Sequence, residues 1–293
     1  MDDQIQEFMM YLRNVKKASE NTIMSYQSDL TKMMLYVKQQ GAESTDGITP
    51  TVLNAYVLQL ERNGLAASTI SRYIASMKAF FEYLVRSHQL QDDPSCQLKA
   101  PKVEKRLPGI LSVQEMEHLL EQPDVDNPKG CRDKAMLELL YATGMRVSEL
   151  VHLHLEDVNL KFGWVICRDG DRERMVPFGT KAGAALMAYL DRSRSCLQKK
   201  DSSELLFLNC SGAPMSRQGF WKVLKSYAQR AGIDKDITPR MFRHSCAAHM
   251  ASNGAELQTI QEILGHADMT ATQIYAGFQP GMKKEYSKVH PRG

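Results

Sequence analysis

Apolar side chains recur at helical spacing four times within the first 90 residues, a pattern that only packed helices bury. Ile5, Phe8, Met9 and Leu12 follow the i, i+3, i+4, i+7 rule of one helical face, and Ile23, Tyr26, Leu30, Met33 and Val37 repeat it. Gly41 ends the second helix, Thr49-Pro50 caps and starts a third carrying Val52, Tyr56, Val57 and Leu60, and Gly64 ends that one. A fourth begins at about Ser68, with Ile70, Tyr73, Ile74, Met77, Phe81 and Leu84 inward. No single amphipathic helix hides its stripe from water alone, so residues 1–90 read as a small bundle.

The pattern then breaks. From Asp92-Asp93-Pro94 to Leu107-Pro108-Gly109 the chain holds three prolines and no apolar period, so 91–109 reads as an interdomain linker. Within it Lys99, Lys102, Lys105 and Arg106 fall in eight residues, 99–106, that hold the single acid Glu104. An extended basic strap along a polyanion and a solvated linker without a partner account for this charge equally well.

Residues 110–293 open with Ser112-Val113-Gln114-Glu115, a capping box before Met116, Leu119 and Leu120. A helical run from Ala135 to Tyr141 halts at Thr143-Gly144, and a short helix carries Val147, Leu150 and Val151. Trp164 to Cys167 and Arg174 to Pro177 change to a strand period around Asp169-Gly170, a tight-turn pair. Helices resume over 182–190, 219–231, 238–253 and 256–264, with shorter ones after Thr270 and Pro280. The second half is therefore expected to be mainly α with one small antiparallel sheet.

A chain of 293 residues, 43% hydrophobic and 24% charged, has the composition of a globular protein. At roughly 100–200 residues per domain it fits two. No apolar run is long enough to span a membrane, and Met1-Asp2-Asp3-Gln4 is acidic where a secretory signal is basic, so a cytoplasmic location is expected. The net charge of +3 neither demands nor excludes nucleic acid. Six cysteines at wide spacing, without a Cys-x-x-Cys pair, are expected to be reduced and mostly buried.

Four places carry chemistry. In Ala142-Thr143-Gly144-Met145-Arg146-Val147-Ser148-Glu149, Glu149 lies three residues past Arg146 and can hold its guanidinium, as any surface ion pair does. In Thr238-Pro239-Arg240-Met241-Phe242-Arg243-His244, two arginines share the first turn of a helix, where free backbone N–H groups and the helix dipole favour an anion, phosphate above all. Two solvated arginines explain that spacing as well. His266 follows a glycine stop, and Tyr275 lies on the next short helix; each is weak alone, since most tyrosines simply pack. His244 and His249 are five apart, roughly 140° around a helix, and lack zinc-protease spacing, so no metal site is expected.

Together these pieces resemble the tyrosine recombinases of the Xer/phage-integrase family. The resemblance covers nearly the whole chain: the N-terminal helices, the Leu107-Pro108 linker, "LLYATGMRVSEL", the hairpin ending "ERMVPFG", "TPRMFRHSCAAHM", "LGHADMTATQIY" and the terminal "HPR". It implies a mainly α tyrosine-recombinase fold, with a SAM-like core-binding domain over 1–90 and a catalytic domain over 110–293 ending in a docking helix near Met282–Val289. It also implies an enzyme that cuts and rejoins DNA through a 3′-phosphotyrosyl intermediate, without metal, ATP or cofactor. Tyr275 would be the nucleophile, Arg146 and Arg243 would grip the scissile phosphate with Arg240, His266 would contact a phosphate oxygen, and Glu149 would accompany Arg146. Lys99, Lys102, Lys105 and Arg106 would touch DNA.

Two positions depart from the family. Arg240 stands where the family usually has histidine, which leaves the acceptor of the tyrosine proton unassigned. Asp169 stands where the family puts a lysine that protonates the leaving oxygen. Arg168 and Arg172 are the nearby substitutes, though arginine is a poor proton donor. The expected partners are double-stranded DNA with an inverted-repeat core, further recombinase subunits in a homo- or hetero-tetramer, and a directionality factor or DNA translocase, with no membrane. Xer-type multimer resolution and integration or excision of a mobile element remain open, as does a catalytically weakened DNA-binding accessory protein.

Overall fold

A computed structural model of the 293-residue chain describes residues 1–102, 108–170, 172–199 and 204–279. The chain divides into two compact units, Met1–Arg106 and Leu107–Gly293. In the first, α1 (Asp2–Asn14), α2 (Glu20–Gln39), α3 (Pro50–Arg62) and α4 (Ala67–Arg86) pack around one core. Ser19 and Thr49 cap α2 and α3 by accepting from the backbone N–H three residues on. Phe8, Leu30, Met33, Leu53, Met77 and Phe80 are almost wholly buried. Leu53 rather than Val52 is the deeply buried side chain of α3; Val52 packs at the edge. Asp29 and Arg72 pair between α2 and α4, which gives the buried carboxylate its partner.

The start of the proline-bearing segment belongs to this bundle. Pro94, Ser95 and Leu98 are buried, and Leu98 joins the bundle core. Lys99 and Lys102 are exposed, whereas Lys105 and Arg106 lie outside the described residues.

In the second unit, α5 (Val113–Glu121) starts with the expected capping box of Ser112 and Glu115. Next comes α6 (Pro128–Thr143), whose Cys131, Ala135, Met136, Leu137, Leu139 and Leu140 are all buried, so this helix is covered on every side. Two of its three buried charges, Arg132 and Asp133, satisfy one another, and the third, Glu138, pairs with Lys134. Arg132 donates to Asp133 Oδ1 at 2.6 and 2.9 Å and to the Leu208 carbonyl, and Tyr227 Oη donates to Asp133 Oδ2 at 2.9 Å. After α7 (Val147–Val151) come β1 (Val158–Asn159), β2 (Trp164–Asp169) and β3 (Arg172–Pro177), an antiparallel sheet in the order β1-β2-β3. Asp169 pairs with Arg172, and Gly170 takes φ 61°, as a two-residue hairpin turn requires. Then follow α8 (Thr180–Arg192), α9 (Arg194–Leu197), α10 (Arg217–Arg230), α11 (Pro239–Ser252) and α12 (Leu257–Leu264). Two 3₁₀ turns, Met269–Ala271 and Gln273–Phe278, close the described chain. The segment expected to form the docking helix, Met282–Val289, lies outside the described residues.

Cys131, Cys167 and Cys246 are buried, but Cys96, Cys196 and Cys210 are exposed, so burial holds for half of the thiols rather than most. Cys96 and Cys210 sit on turns, where the chain runs along the surface. Among the described residues no helix is long and apolar enough to cross a membrane.

Gly144 fixes how α6 ends. It adopts φ 57° at the helix C-cap, and an added Cβ would meet Leu264 Cδ2 at 2.7 Å and Cys246 Sγ at 3.1 Å. Left-handed strain and overpacking of this kind together cost about 3 kcal/mol. Gly144→Ala should therefore lower the melting temperature of the second unit by roughly 10 °C. A calorimetric scan showing a shift below about 2 °C would refute this account of the cap.

Candidate active site

The site grows from the ends of three helices. Arg146 stands at the N-cap of α7, just past Gly144, with an extended backbone. Its backbone N–H donates to Glu149 Oε2 at 2.6 Å, and its Nη1 reaches Glu149 Oε1 at 3.3 Å and Asp169 Oδ2 at 2.9 Å. Nη2 touches the Gly265 carbonyl at 3.4 Å. Glu149 is not a surface partner: it is 4% exposed and also accepts from Arg174 Nη1 and Nη2 at 2.5 and 2.9 Å. Burial alone would raise its carboxyl, yet the hydrogen bonds from Arg174 and the Arg146 backbone hold it below the usual carboxylate range. Arg174 lies flat against Gly265, where a Cβ would come within 2.9 Å of its side chain, and donates through Nε to the Ile263 carbonyl.

Arg240 and Arg243 share the first turn of α11, which Thr238 caps. Their environments differ. Arg240 is exposed, while Arg243 is buried and donates to the Gly144 carbonyl at 2.6 Å and the Leu264 carbonyl at 2.5 Å. Burial and the neighbouring Arg146 pull the Arg243 guanidinium down to about 10, still protonated at neutral pH. His266, past the left-handed Gly265 that ends α12, contacts Thr272 Oγ1 through Nδ1 at 2.9 Å. Burial, then Arg243 and Arg146, push its pKa down to about 4, so it is neutral near pH 7.

Tyr275 lies on the last 3₁₀ turn and is 0% exposed, packed with Ala247, Ala248, Ala251, Ile260 and Leu264. Burial pushes its hydroxyl up to about 12. That hydroxyl is 2.5 Å from His244 Nδ1. His244, too, is pushed down, to about 4, by burial and by Arg240 and Arg243. A cavity of about 580 Å³ is lined by Arg146, Arg240, Arg243, His244 and His266, with Ala271 and Ile274 from the tyrosine's own segment among the rest. Four of the residues picked from sequence thus meet at one cavity, with Tyr275 behind its wall and Glu149 beneath Arg146.

Other expected residues lie elsewhere. Arg168 is bound by Asp157 and by Glu173 Oε1, the latter at 2.7 Å, and Arg172 is exposed beside the hairpin turn. Among the described residues no group of three His, Cys, Asp or Glu side chains could hold a metal ion. Two residues were not singled out from sequence. Arg174 was visible only as part of "ERMVPFG", and its pairing with Glu149 joins a strand to a helix 25 positions earlier. Its spacing to His249 gives His244 no metal-ligand pattern, and its sole sequence signal is its place directly after Arg243 in "TPRMFRH".

Comparison with known proteins accords with this geometry. A sequence model of the Phage integrase family matches residues 110–280, and one described as Phage integrase, N-terminal SAM-like domain matches residues 5–88. The chain is 40% identical over 294 residues to "Tyrosine recombinase XerD" of Staphylococcus haemolyticus (strain JCSC1435), and 41% identical to that of Staphylococcus aureus (strain Mu50 / ATCC 700699), each covering both chains fully. The crystal structure of XerH site-specific recombinase bound to palindromic difH substrate, a post-cleavage complex, shares the fold at TM-score 0.75 and 22% identity, over 99% of this chain and 84% of that one. Full-length identity at this level, together with family models matching both halves, leaves one assignment: the chain belongs to the phage integrase family of tyrosine recombinases.

Proposed function

We propose that the protein is a site-specific DNA recombinase that cuts and rejoins strands through a covalent link to Tyr275. The observation that carries this reading is the cavity itself: three arginines and two neutral histidines line one space, and the tyrosine hydroxyl is hydrogen-bonded to one of those histidines. A phosphodiester passing through its transition state concentrates negative charge on its non-bridging oxygens. Guanidiniums stay charged at any physiological pH and hold such oxygens bidentately. In our assignment Arg146, Arg243 and Arg240 hold the phosphate, His266 contacts one of its oxygens, and Glu149 orients Arg146. The phosphotyrosyl bond conserves the energy of the broken ester, so rejoining needs no ATP.

Full-length identity to recombinases named XerD favours an Xer-type role, such as multimer resolution, over integration of a mobile element. Nothing in the site favours a weakened accessory protein, since the expected nucleophile and arginines converge. We assign Lys99, Lys102, Lys105 and Arg106 to contact with the DNA backbone, and four subunits to a pair of inverted-repeat sites. A homo-tetramer and a mixed tetramer, with a directionality factor or DNA translocase, are both compatible with this arrangement, as is a cytoplasmic location. Removing the residues after Gly281, which contain our proposed docking segment, should abolish assembly on paired sites and spare binding to a single site. Unaltered synapsis of the truncated chain would defeat that assignment.

The nucleophile is tested by incubating the protein with fragmented DNA from its own source, denaturing, and sequencing what stays attached. Adducts should gather at one inverted repeat and vanish in Tyr275→Phe, which still shifts the same DNA in a gel. Absence of adducts from the unaltered protein would refute the recombinase reading.

Asp169 supplies a second test. It holds Arg146, so an incoming phosphate must take its place, and it offers no cation to the leaving oxygen. Arg168 is held by two carboxylates, so we assign the exposed Arg172 the electrostatic part of that role. An exposed pair such as Arg146–Asp169 is worth at most about 1 kcal/mol, so Asp169→Asn should tighten DNA binding by no more than about fivefold. Asp169→Lys also supplies a proton donor, and should raise the single-turnover cleavage rate by about 10². Equal rates for the two variants would show that leaving-group protonation does not limit cleavage.

A further inference from the structure

We infer that His244 is the group that takes the proton from Tyr275 as its hydroxyl attacks the phosphate. The inference rests on the recombinase reading above and extends it to a step that the expected residues leave open, because Arg240 and Arg243 are cations with no lone pair to offer.

The geometry is direct. His244 Nδ1 lies 2.5 Å from Tyr275 Oη, and the two rings tilt together with centroids 5.8 Å apart. A neutral imidazole has one acceptor nitrogen, and in the tautomer that carries its hydrogen on Nε2 the phenol donates to Nδ1, the atom that would later take the proton. His244 also lines the phosphate cavity, whereas Tyr275 is wholly buried and is not among the lining residues. The hydroxyl must advance to reach a phosphate. Because His244 borders both its present position and the cavity, Oη can advance while staying within hydrogen-bond reach of Nδ1. Other groups around the hydroxyl are less suited. Arg146, Arg240 and Arg243 line the same cavity as donors, and His266, held at Nδ1 by Thr272, makes no hydrogen bond to the Tyr275 hydroxyl among the described contacts and is the group assigned to the phosphate.

The step balances as follows. The O–H bond of Tyr275 breaks and its proton passes to Nδ1, while the oxygen's electron pair forms the new bond to phosphorus. The bond from phosphorus to the 5′ oxygen breaks, its pair stays on that oxygen, and solvent water supplies the proton that makes the 5′-hydroxyl. On rejoining, the imidazolium returns its proton to the departing phenolate.

Charge makes the base responsive to substrate. Burial, Arg240 and Arg243 hold His244 down at about 4, so it is neutral and able to accept, but it is a weak base. A phosphate seated between those arginines offsets their repulsion, the lesser cause, and moves the imidazole up from about 4, while burial, the larger cause, keeps it below its ordinary value. Basicity then rises when the target is in place. The charged and titratable groups facing His244 are Arg240 and Arg243 on its own helix, Arg146 from the start of α7, His266 beyond α12, and Tyr275.

The test compares His244→Asn and His244→Ala with the unaltered protein in single-turnover cleavage of its own recombination site between pH 4 and 8. Asparagine keeps an acceptor at the place of Nδ1 but cannot take the proton. Both variants should bind the site normally, cleave about 10²–10³-fold more slowly, and lose the fall in rate that the unaltered enzyme shows as the pH drops from about 6.5 toward 4. Replacing Tyr275 by 3,5-difluorotyrosine, whose hydroxyl ionises more readily, should restore most of the rate to His244→Asn. A 5′-bridging phosphorothiolate substrate, whose leaving group needs no proton, should not restore it. Rates within threefold of the unaltered enzyme in His244→Asn, or rescue by the sulfur substrate instead of the fluorinated tyrosine, would overturn the inference. Failure of the unaltered protein to form any adduct would instead bring down the recombinase reading on which it rests.

Discussion

Arg243 occupies a position that few unpaired cations tolerate, 9% exposed between the C-terminal ends of two helices. One end of its guanidinium takes the Gly144 carbonyl at the close of α6 and the other takes the Leu264 carbonyl at the close of α12. Each helix leaves carbonyls unused at that end, and each dipole is negative there, so the two termini together solvate the charge that burial strips of water. Both helices then turn away through a left-handed glycine, Gly144 or Gly265. The chain leaving Gly144 delivers Arg146 and the chain leaving Gly265 delivers His266. One buried cation thereby ties together the helix ends that hold most of the site.

Glu149 does the same work beneath Arg146. It is buried, and three donors from two guanidiniums and a backbone N–H from Arg146 converge on it. Removing any one leaves the carboxylate short of partners in a place water reaches poorly. The hairpin is anchored to the helical part through this residue, since Arg174 is on β3 and Glu149 on α7. The position of Asp169 at the hairpin's end, and so its grip on Arg146, follows from that anchor.

Much of this was legible in the residues. Helical periodicity located α1 to α4, Ser112 and Thr238 marked their helix starts, and Asp169-Gly170 marked the hairpin, because each signal is local and set by backbone geometry. What escaped depends on contacts distant in sequence. β1 is two residues long and shows no alternation. Arg240 and Arg243 look alike three residues apart, and only packing of α11 against α6 and α12 buries one and leaves the other in solvent. His244 gains its significance from a tyrosine 31 positions away, and a pattern of spacings within one helix carries no trace of that.

The complete burial of Tyr275 has a consequence for fidelity. The Tyr275 ring is packed with Ala247, Ala251 and Leu264 and is wholly buried, so its hydroxyl must leave that packing before it can attack a phosphate, and on the proposed function the speed of cutting would scale with the share of molecules in which it has done so. DNA that enters by charge alone is held by the arginines without changing the share. A duplex whose contacts stabilise the emerged tyrosine enlarges it tenfold for each ~1.4 kcal/mol they provide. On the proposed function, discrimination between sequences would then act at the scission step as well as at binding.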